Sequence, residues 1–175
     1  MSQRGLAAEH LCGWLGSIAM AGRRDAIKMS DDEIRAFLDL PHTLQVATIN
    51  ADGTPHLVAM WYTLIDGDVA FWTYAKSQKV VNLRRDPRIT CMVEEGKGYD
   101  QLLGVQIVGR AEIVEDRETV HRIGIDLMYR YQGFEGEVSD VARAAVAQMG
   151  AKRCGVIVRP ERIVSWDHSK LGGGY

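Results

Sequence analysis

At 175 residues with 46% hydrophobic content, the chain is long enough for one domain with a real core, and nothing in its composition reads as disordered. With 21 basic against 23 acidic side chains the formal charge is −2, which excludes a global basic field for nucleic acid or an anionic membrane, so any anion binding is local. Cys12, Cys91 and Cys154 are odd in number, far apart and without CxxC spacing, which argues against a zinc site and a disulfide framework and points to a reducing, cytoplasmic compartment.

The first 28 residues stand apart. The apolar run in "LAAEHLCGWLGSIAMAG" is broken by glycine, follows Glu9 and His10 and has only Arg4 as an upstream basic residue, so it reads neither as an export signal nor as a bilayer span. Residues 1–28 are expected to form a helical or disordered extension, or to lie upstream of a natural beginning at Met29, with residues 29–175 forming the domain. In "MSDDEIRAFLDL" Ser30 is placed to N-cap a helix and Glu33 completes a capping box. Ile34, Phe37 and Leu38 share one face of that helix, and Pro41 ends it.

From Thr43 the period changes to two. "TLQVATIN", "LVAMWYTLI" and "VAFWTYA", separated by "ADGTPH" and "DGD", predict an antiparallel meander. "RITCMVEE" and "LLGVQIVGRAEIVE" predict two more strands, the second long enough to bend at Gly104 or Gly109. Helices are predicted over 117–131 and 137–149 with "GFEG" between them, after which "RCGVIVRPERIVSW" returns to strand. The expected class is mainly β with α (α+β): about six antiparallel strands closing a small barrel with helices at its rim.

The segment "TYAKSQKVVNLRRDPRITCMV" sets Lys76, Lys79, Arg84 and Arg85 within ten residues. Ser77 is placed to N-cap a short helix over 78–85, which Pro87 stops by disfavouring helical geometry at Asp86. Free N–H groups at that helix start, the Ser77 hydroxyl and the Lys79 ammonium would converge as an anion cradle, while Arg84 and Arg85 sit too far along to reach the same anion. The alternative is a solvated basic helix. On the strand after the Asp52–Gly53 turn, His56, Val58, Met60 and Tyr62 share one face and Leu57, Ala59, Trp61 and Thr63 the other, and one set must fill the barrel.

The order "ATINADGTPHLVAMWYTLIDGDVAFWTYAKSQKVVNLRRDPR" resembles the pyridoxamine 5'-phosphate oxidase-like split β-barrel superfamily, and looks closest to its actinobacterial deazaflavin-dependent branch, which uses coenzyme F420. "KVVNLRRDPR" is the most specific element, and the resemblance covers residues 30 to about 167. It implies a six-stranded antiparallel split barrel with peripheral helices, acting as a homodimer whose cofactor lies in a groove between the chains. It further implies that Lys79 and Ser77 hold the cofactor phosphate with Lys76 or Gln78 close by, that Asn82 orients the loop, and that Pro55, Val58, Ala59, Met60 and Trp61 lie beside the ring. Met60 and Trp61 read equally well as core or interface packing.

The implied activity is hydride transfer between reduced deazaflavin and a planar conjugated small molecule of quinone, enone or tetrapyrrole type. The ring carries the hydride, so neither a protein nucleophile nor a metal is expected. The alternatives are an FMN-binding flavoprotein of the same fold and a non-catalytic module that sequesters a cofactor, haem or fatty acid. FMN-using relatives place an arginine and a lysine on the strand matching "HLVAMWYTL", which has neither, and this favours F420. By charge alone, Lys76, Arg84, Arg85 and Arg88 are candidates for the F420 tail. His56, close to the expected ring position, is the candidate substrate contact. Tyr99 in "EEGKGYDQ" and Tyr131 and Phe134 in "RYQGFEGE" suit either a rim over a planar substrate or dimer contacts, and Trp166 reads as the last packed residue.

Overall fold

The structure, a computed structural model, describes residue 22 and residues 24–172. The expectations for the greater part of the N-terminal extension, Cys12 included, and for the last glycines fall outside the described residues. Helix α1 (Asp31–Leu38) begins as the sequence predicts. The Ser30 hydroxyl accepts the Glu33 N–H at 3.3 Å and the Ser30 N–H donates to the Glu33 carboxylate at 2.6 Å, so the capping box is complete. The Lys170 ammonium, 2.7 Å away, together with that N–H holds the Glu33 carboxyl down to about 2.

Seven strands follow: β1 (Leu44–Ile49), β2 (Pro55–Met60), β3 (Thr63–Ile65), β4 (Asp68–Tyr74), β5 (Arg88–Glu95), β6 (Leu103–Val114) and β7 (Arg153–Asp167). They form a single antiparallel sheet in the order β2-β1-β5-β6-β7-β4-β3. The fold is therefore α+β as expected, with seven strands where six are predicted. The extra strand arises because "LVAMWYTLI" breaks at Trp61 and Tyr62 into β2 and β3, which pair at opposite ends of the sheet order. A two-residue link reaches only about 7–10 Å between its flanking residues, so the two ends of the sheet are drawn together and the sheet curls into a barrel.

Tyr62 holds that closure. Its ring is fully buried, its hydroxyl donates toward the carbonyls of Leu38 at 2.9 Å and Leu40 at 3.1 Å, and the Arg130 guanidinium lies 4.7 Å above the ring. Its N–H donates to the Tyr131 hydroxyl at 3.3 Å instead of to a strand, which is why the ladder ends here. Burial pushes the phenol up to about 12.

The barrel interior is apolar, with Leu44, Val46, Phe71, Val93, Val105 and Val156 fully buried and α1 closing it through Ile34, Phe37 and Leu38. Helix α2 (Gln78–Arg85) adds Leu83 to this core. Helices α3 (Arg117–Gln132) and α4 (Asp140–Gly150) cover the outside of β3 and β4 and the start of β7. There Ile65, Ala70, Trp72 and Ile157 meet Val120, Ile123, Leu127 and Val146 in a second core. Helix α4 starts three residues later than predicted because Ser139 caps it, its hydroxyl accepting the Ala142 N–H at 3.2 Å. Of the two glycines proposed for the bend in β6, Gly109 marks the register shift, and a Cβ there would meet the Arg159 carbonyl oxygen at 2.1 Å. Gly104 instead makes room for the Trp166 ring.

Removing the Tyr62 hydroxyl leaves Arg130 still donating to both carbonyls, so Tyr62→Phe is expected to lower stability by only about 1 kcal/mol. Tyr62→Ala, which empties the closure, should cost about 3–5 kcal/mol, and urea unfolding of the two variants checks the difference.

Candidate functional site

The closure at Trp61 and Tyr62 is incomplete, and the gap it leaves is the candidate site. β3 and β4 pair through Thr63↔Ala70, Leu64↔Val69 and Ile65↔Asp68, a register that past Tyr62 and Phe71 would set Trp61 against Trp72 and Met60 against Thr73. β2 pairs only with β1, and β4 from Phe71 to Tyr74 pairs only with β7. Two strand edges therefore part from each other, and alternate backbone amides and carbonyls of β2 point into the split between them.

At one end of the split stands the start of α2. The helix spans the residues predicted from sequence and Ser77 has N-cap geometry, but its hydroxyl caps nothing and lies 3.4 Å from the Thr73 hydroxyl. The expected Ser77 cap hydrogen bond is thus corrected, because Thr73 on β4 claims the side chain. The first-turn N–H groups have no side-chain partner. Lys79 is buried, at 9% exposure, and its ammonium donates to the Thr73 hydroxyl at 3.1 Å with no carboxylate salt-bridged to it among the described residues. Burial depresses its pKa, the expected sign for a desolvated ammonium. An uncapped helix start beside a desolvated, unpaired ammonium fits a phosphate.

Asn82, at 0% exposure, ties this helix to the β1–β2 hairpin. Its Nδ2 donates to the Thr48 hydroxyl at 3.1 Å and to Asn50 Oδ1 at 2.9 Å, and its Oδ1 accepts from Gln78 Nε2 at 2.9 Å. Gln78 is thereby held within its own helix, while Lys76 is exposed and has no ion pair among the described residues. The other tail cations are committed to the fold. Arg84 pairs with Glu115 at 2.7 Å, Arg88 with Asp86 at 2.6 Å, and Arg85 donates to the Ile49 carbonyl.

The strand facing this helix divides as its period requires. Val58 and Met60 pack toward the core and Pro55, Leu57, Ala59 and Trp61 face outward and are exposed. His56 lies on the inward side opposite Thr48, at the α2 end. Pro55 lines a separate cavity of about 350 Å³ with Ile49 and Arg88. The structure thus brings His56 and Asn82 to the hairpin end of β2, with Trp61 about 17–20 Å away at the other end of the strand, while Ser77 and Lys79 stand at Thr73 on β4.

At the Trp61 end a cavity of about 470 Å³ opens between Thr43, Ala59, Met60 and Trp61 on one side and Trp72, Leu127 and Arg153 on the other. The Trp61 ring, 49% exposed, stacks on Tyr131 at 4.8 Å and 5°. Tyr131 in turn donates to the His42 carbonyl at 2.6 Å. Of the aromatics expected at a rim only Tyr131 reaches this place. Tyr99 packs edge-on against His168 at 4.5 Å, and Phe134 lies 6.2 Å from Tyr129. The sequence reading missed Thr43, Trp72, Leu127 and Arg153, which are scattered over three elements and the link before β1. The larger cavity of about 630 Å³ lies between residues 24–28 and the Arg162–Trp166 end of β7 and contains none of the predicted site residues. Among the described residues no three His, Cys, Asp or Glu side chains gather as metal ligands, and no helix is long and apolar enough to cross a membrane.

A family model described as pyridoxamine 5'-phosphate oxidase matches residues 30–167. Among solved structures, a conserved hypothetical protein of Mycobacterium tuberculosis is 48% identical, with 87% of this chain and 93% of that one covered and a TM-score of 0.82. An F420 reductase is 25% identical over 74% of this chain and 94% of its own, with a TM-score of 0.57. An FAD-binding protein of Mesorhizobium loti, 19% identical over 79% and 94% of the two chains with a TM-score of 0.60, shares the fold. No curated protein matches the chain.

Asn82→Ala would strip one partner each from Thr48, Asn50 and Gln78 and is expected to cost about 2 kcal/mol. Hydrogen exchange should show the α2 amides losing protection before the barrel strands, and uniform loss would assign Asn82 to the global core instead.

Proposed function

This chain belongs to the pyridoxamine 5'-phosphate oxidase family, and we propose that within it the protein is an oxidoreductase that binds coenzyme F420 in the split and passes hydride to or from a planar conjugated small molecule. The observation that carries this reading is the cradle at the start of α2, where Lys79 is desolvated and without an anionic partner beside uncapped amides. When bound, the deazaflavin ring supplies the hydride chemistry. The protein's own residues anchor, orient and shield.

Lys79, Ser77 and the first-turn amides would hold the phosphate, with Lys76 free to meet further negative charge. Asn82 fixes this end of the helix against β1, so the cradle keeps its distance from β2. The free edge of β2 offers backbone groups along Pro55–Met60, and Trp61 closes the far end. The absence of any arginine or lysine on β2 supports F420 over FMN, as does the likeness to the F420 reductase.

The second part of the proposal is a homodimer. The outer face of β2, β1, β5, β6 and the end of β7 carries the cross-strand row Leu57, Ala47, Thr90, Val108 and Arg162, and α3 and α4 pack on the other part of the sheet. Leu57, at 65% exposure, is the largest apolar group of that row left open, and a second copy of this face is the occupant that would cover it beside the mouth of the split.

Fluorescence titration of the purified protein with F420 and separately with FMN tests the cofactor. Tight F420 and weak FMN binding is expected, and the reverse order moves the protein to the flavin-using side. Lys79→Ala should weaken F420 binding by about 1.5–3 kcal/mol without unfolding the domain, and unchanged affinity in a folded variant would remove Lys79 from the role. Leu57→Glu should convert a dimer to a monomer in light scattering, whereas an unchanged mass would place the interface elsewhere.

A further inference from the structure

We propose, building on the oxidoreductase reading above, that the acceptor is a planar acid whose carboxylate or similar anionic group is received by Arg153 in the 470 Å³ cavity at the Trp61 end of the split. The surroundings of the arginine lead to this. Its guanidinium lies 4.4 Å from the Trp72 ring centroid and 4.7 Å from that of Tyr74. Its Nε is buried without a hydrogen-bond partner, and among the described residues the side chain makes no ion pair.

Other arginines of the fold are satisfied or solvated. Arg84, Arg88 and Arg159 pair with carboxylates, Arg117 and Arg130 donate to carbonyls, and Arg110, Arg143 and Arg162 stand exposed in water. Arg153 alone among the described residues is half-buried and unpaired. Burying part of a cation without an anion is unfavourable, and two aromatic faces offset only a fraction of that cost. They do, however, hold the planar fork in one orientation, which reduces the ordering cost when a carboxylate docks two oxygens against it.

The remaining wall fits a flat molecule. Trp61 presents a half-exposed indole backed by Tyr131, and Met60, Leu127 and Trp72 complete an apolar lining. Neighbouring side chains on a strand point to opposite faces, so the Lys79 ammonium, bonded to Thr73, and the Arg153 guanidinium, lying over Trp72 and Tyr74, sit on opposite sides of β4. Two anionic groups can therefore be held at once, a phosphate by one cation and the acid by the other.

The test is direct titration of the full chain with 2-naphthoate and its uncharged isostere 2-naphthamide, followed by tryptophan quenching and repeated with F420 present. The acid should bind at least about tenfold more tightly than the amide, the lower range for a charge-assisted pair. Arg153→Gln should abolish that preference while leaving amide binding and F420 affinity unchanged. Arg153→Lys, which keeps the charge without the planar fork, should retain part of the preference. Equal binding of acid and amide by the wild type, or a preference that survives in folded Arg153→Gln, overturns the proposal. So does a fall in F420 affinity in Arg153→Gln matching that of Lys79→Ala, since Arg153 would then serve the cofactor. Because the naphthoate measurement without F420 uses no cofactor, a protein that fails to bind F420 refutes the cofactor reading separately.

Discussion

Two residues, Trp61 and Tyr62, carry the chain from one edge of a seven-stranded sheet to the other, and this short link governs the rest of the molecule. A long loop would let the sheet lie open, whereas a two-residue link forces its edges together. Tyr62 turns inward and is held by α1, Arg130 and Tyr131, which fixes the edges at one point. Trp61 turns outward and remains half exposed. From that point β2 and β4 diverge, so the interaction that closes the barrel also opens the split. A gap between two strand edges is costly in an ordinary dry core, because each buried amide needs a partner. Here the gap is placed where a ligand or water can supply one.

The barrel was legible in the sequence because its signals are local. Alternation along "TLQVATIN" and "VAFWTYA", Asp-Gly turns and the Ser30–Glu33 capping box each involve residues a few positions apart, and each appears in the structure where the sequence places it. The extent of α2 was equally readable, since Ser77 and Pro87 bracket it. The break at Trp61 was not, because nothing between Leu57 and Ile65 departs from strand composition. What ends the ladder is the Tyr131 hydroxyl, 69 residues away, taking the Tyr62 N–H. The Ser77 cap failed for a related reason, a tertiary competitor on β4 overriding a local preference.

The candidate site divides along the same line. Ser77, Lys79 and Asn82 lie on one turn-and-helix segment, and their convergence could be inferred from helix geometry. The other end of the split draws on Trp61, Trp72, Leu127 and Arg153, which reach the same cavity only through the barrel closure and the packing of α3. In sequence Arg153 is merely the first residue of a strand. Its standing as an unpaired, half-buried cation emerges only when the register sets it opposite Tyr74 and beside Trp72.

β2 takes part in each of these features. Its inward residues fill the barrel, its free edge lines the split, and its outward residues Leu57 and Ala59 continue onto the sheet face that α3 and α4 leave bare. A partner resting on that face would also border the mouth of the cavity, since Ala59 lines both. Ligand occupancy and association would then draw on the same strand. A single edge strand, free on one side because two residues close the barrel at its end, thus borders the split, the cavity and the bare sheet face together.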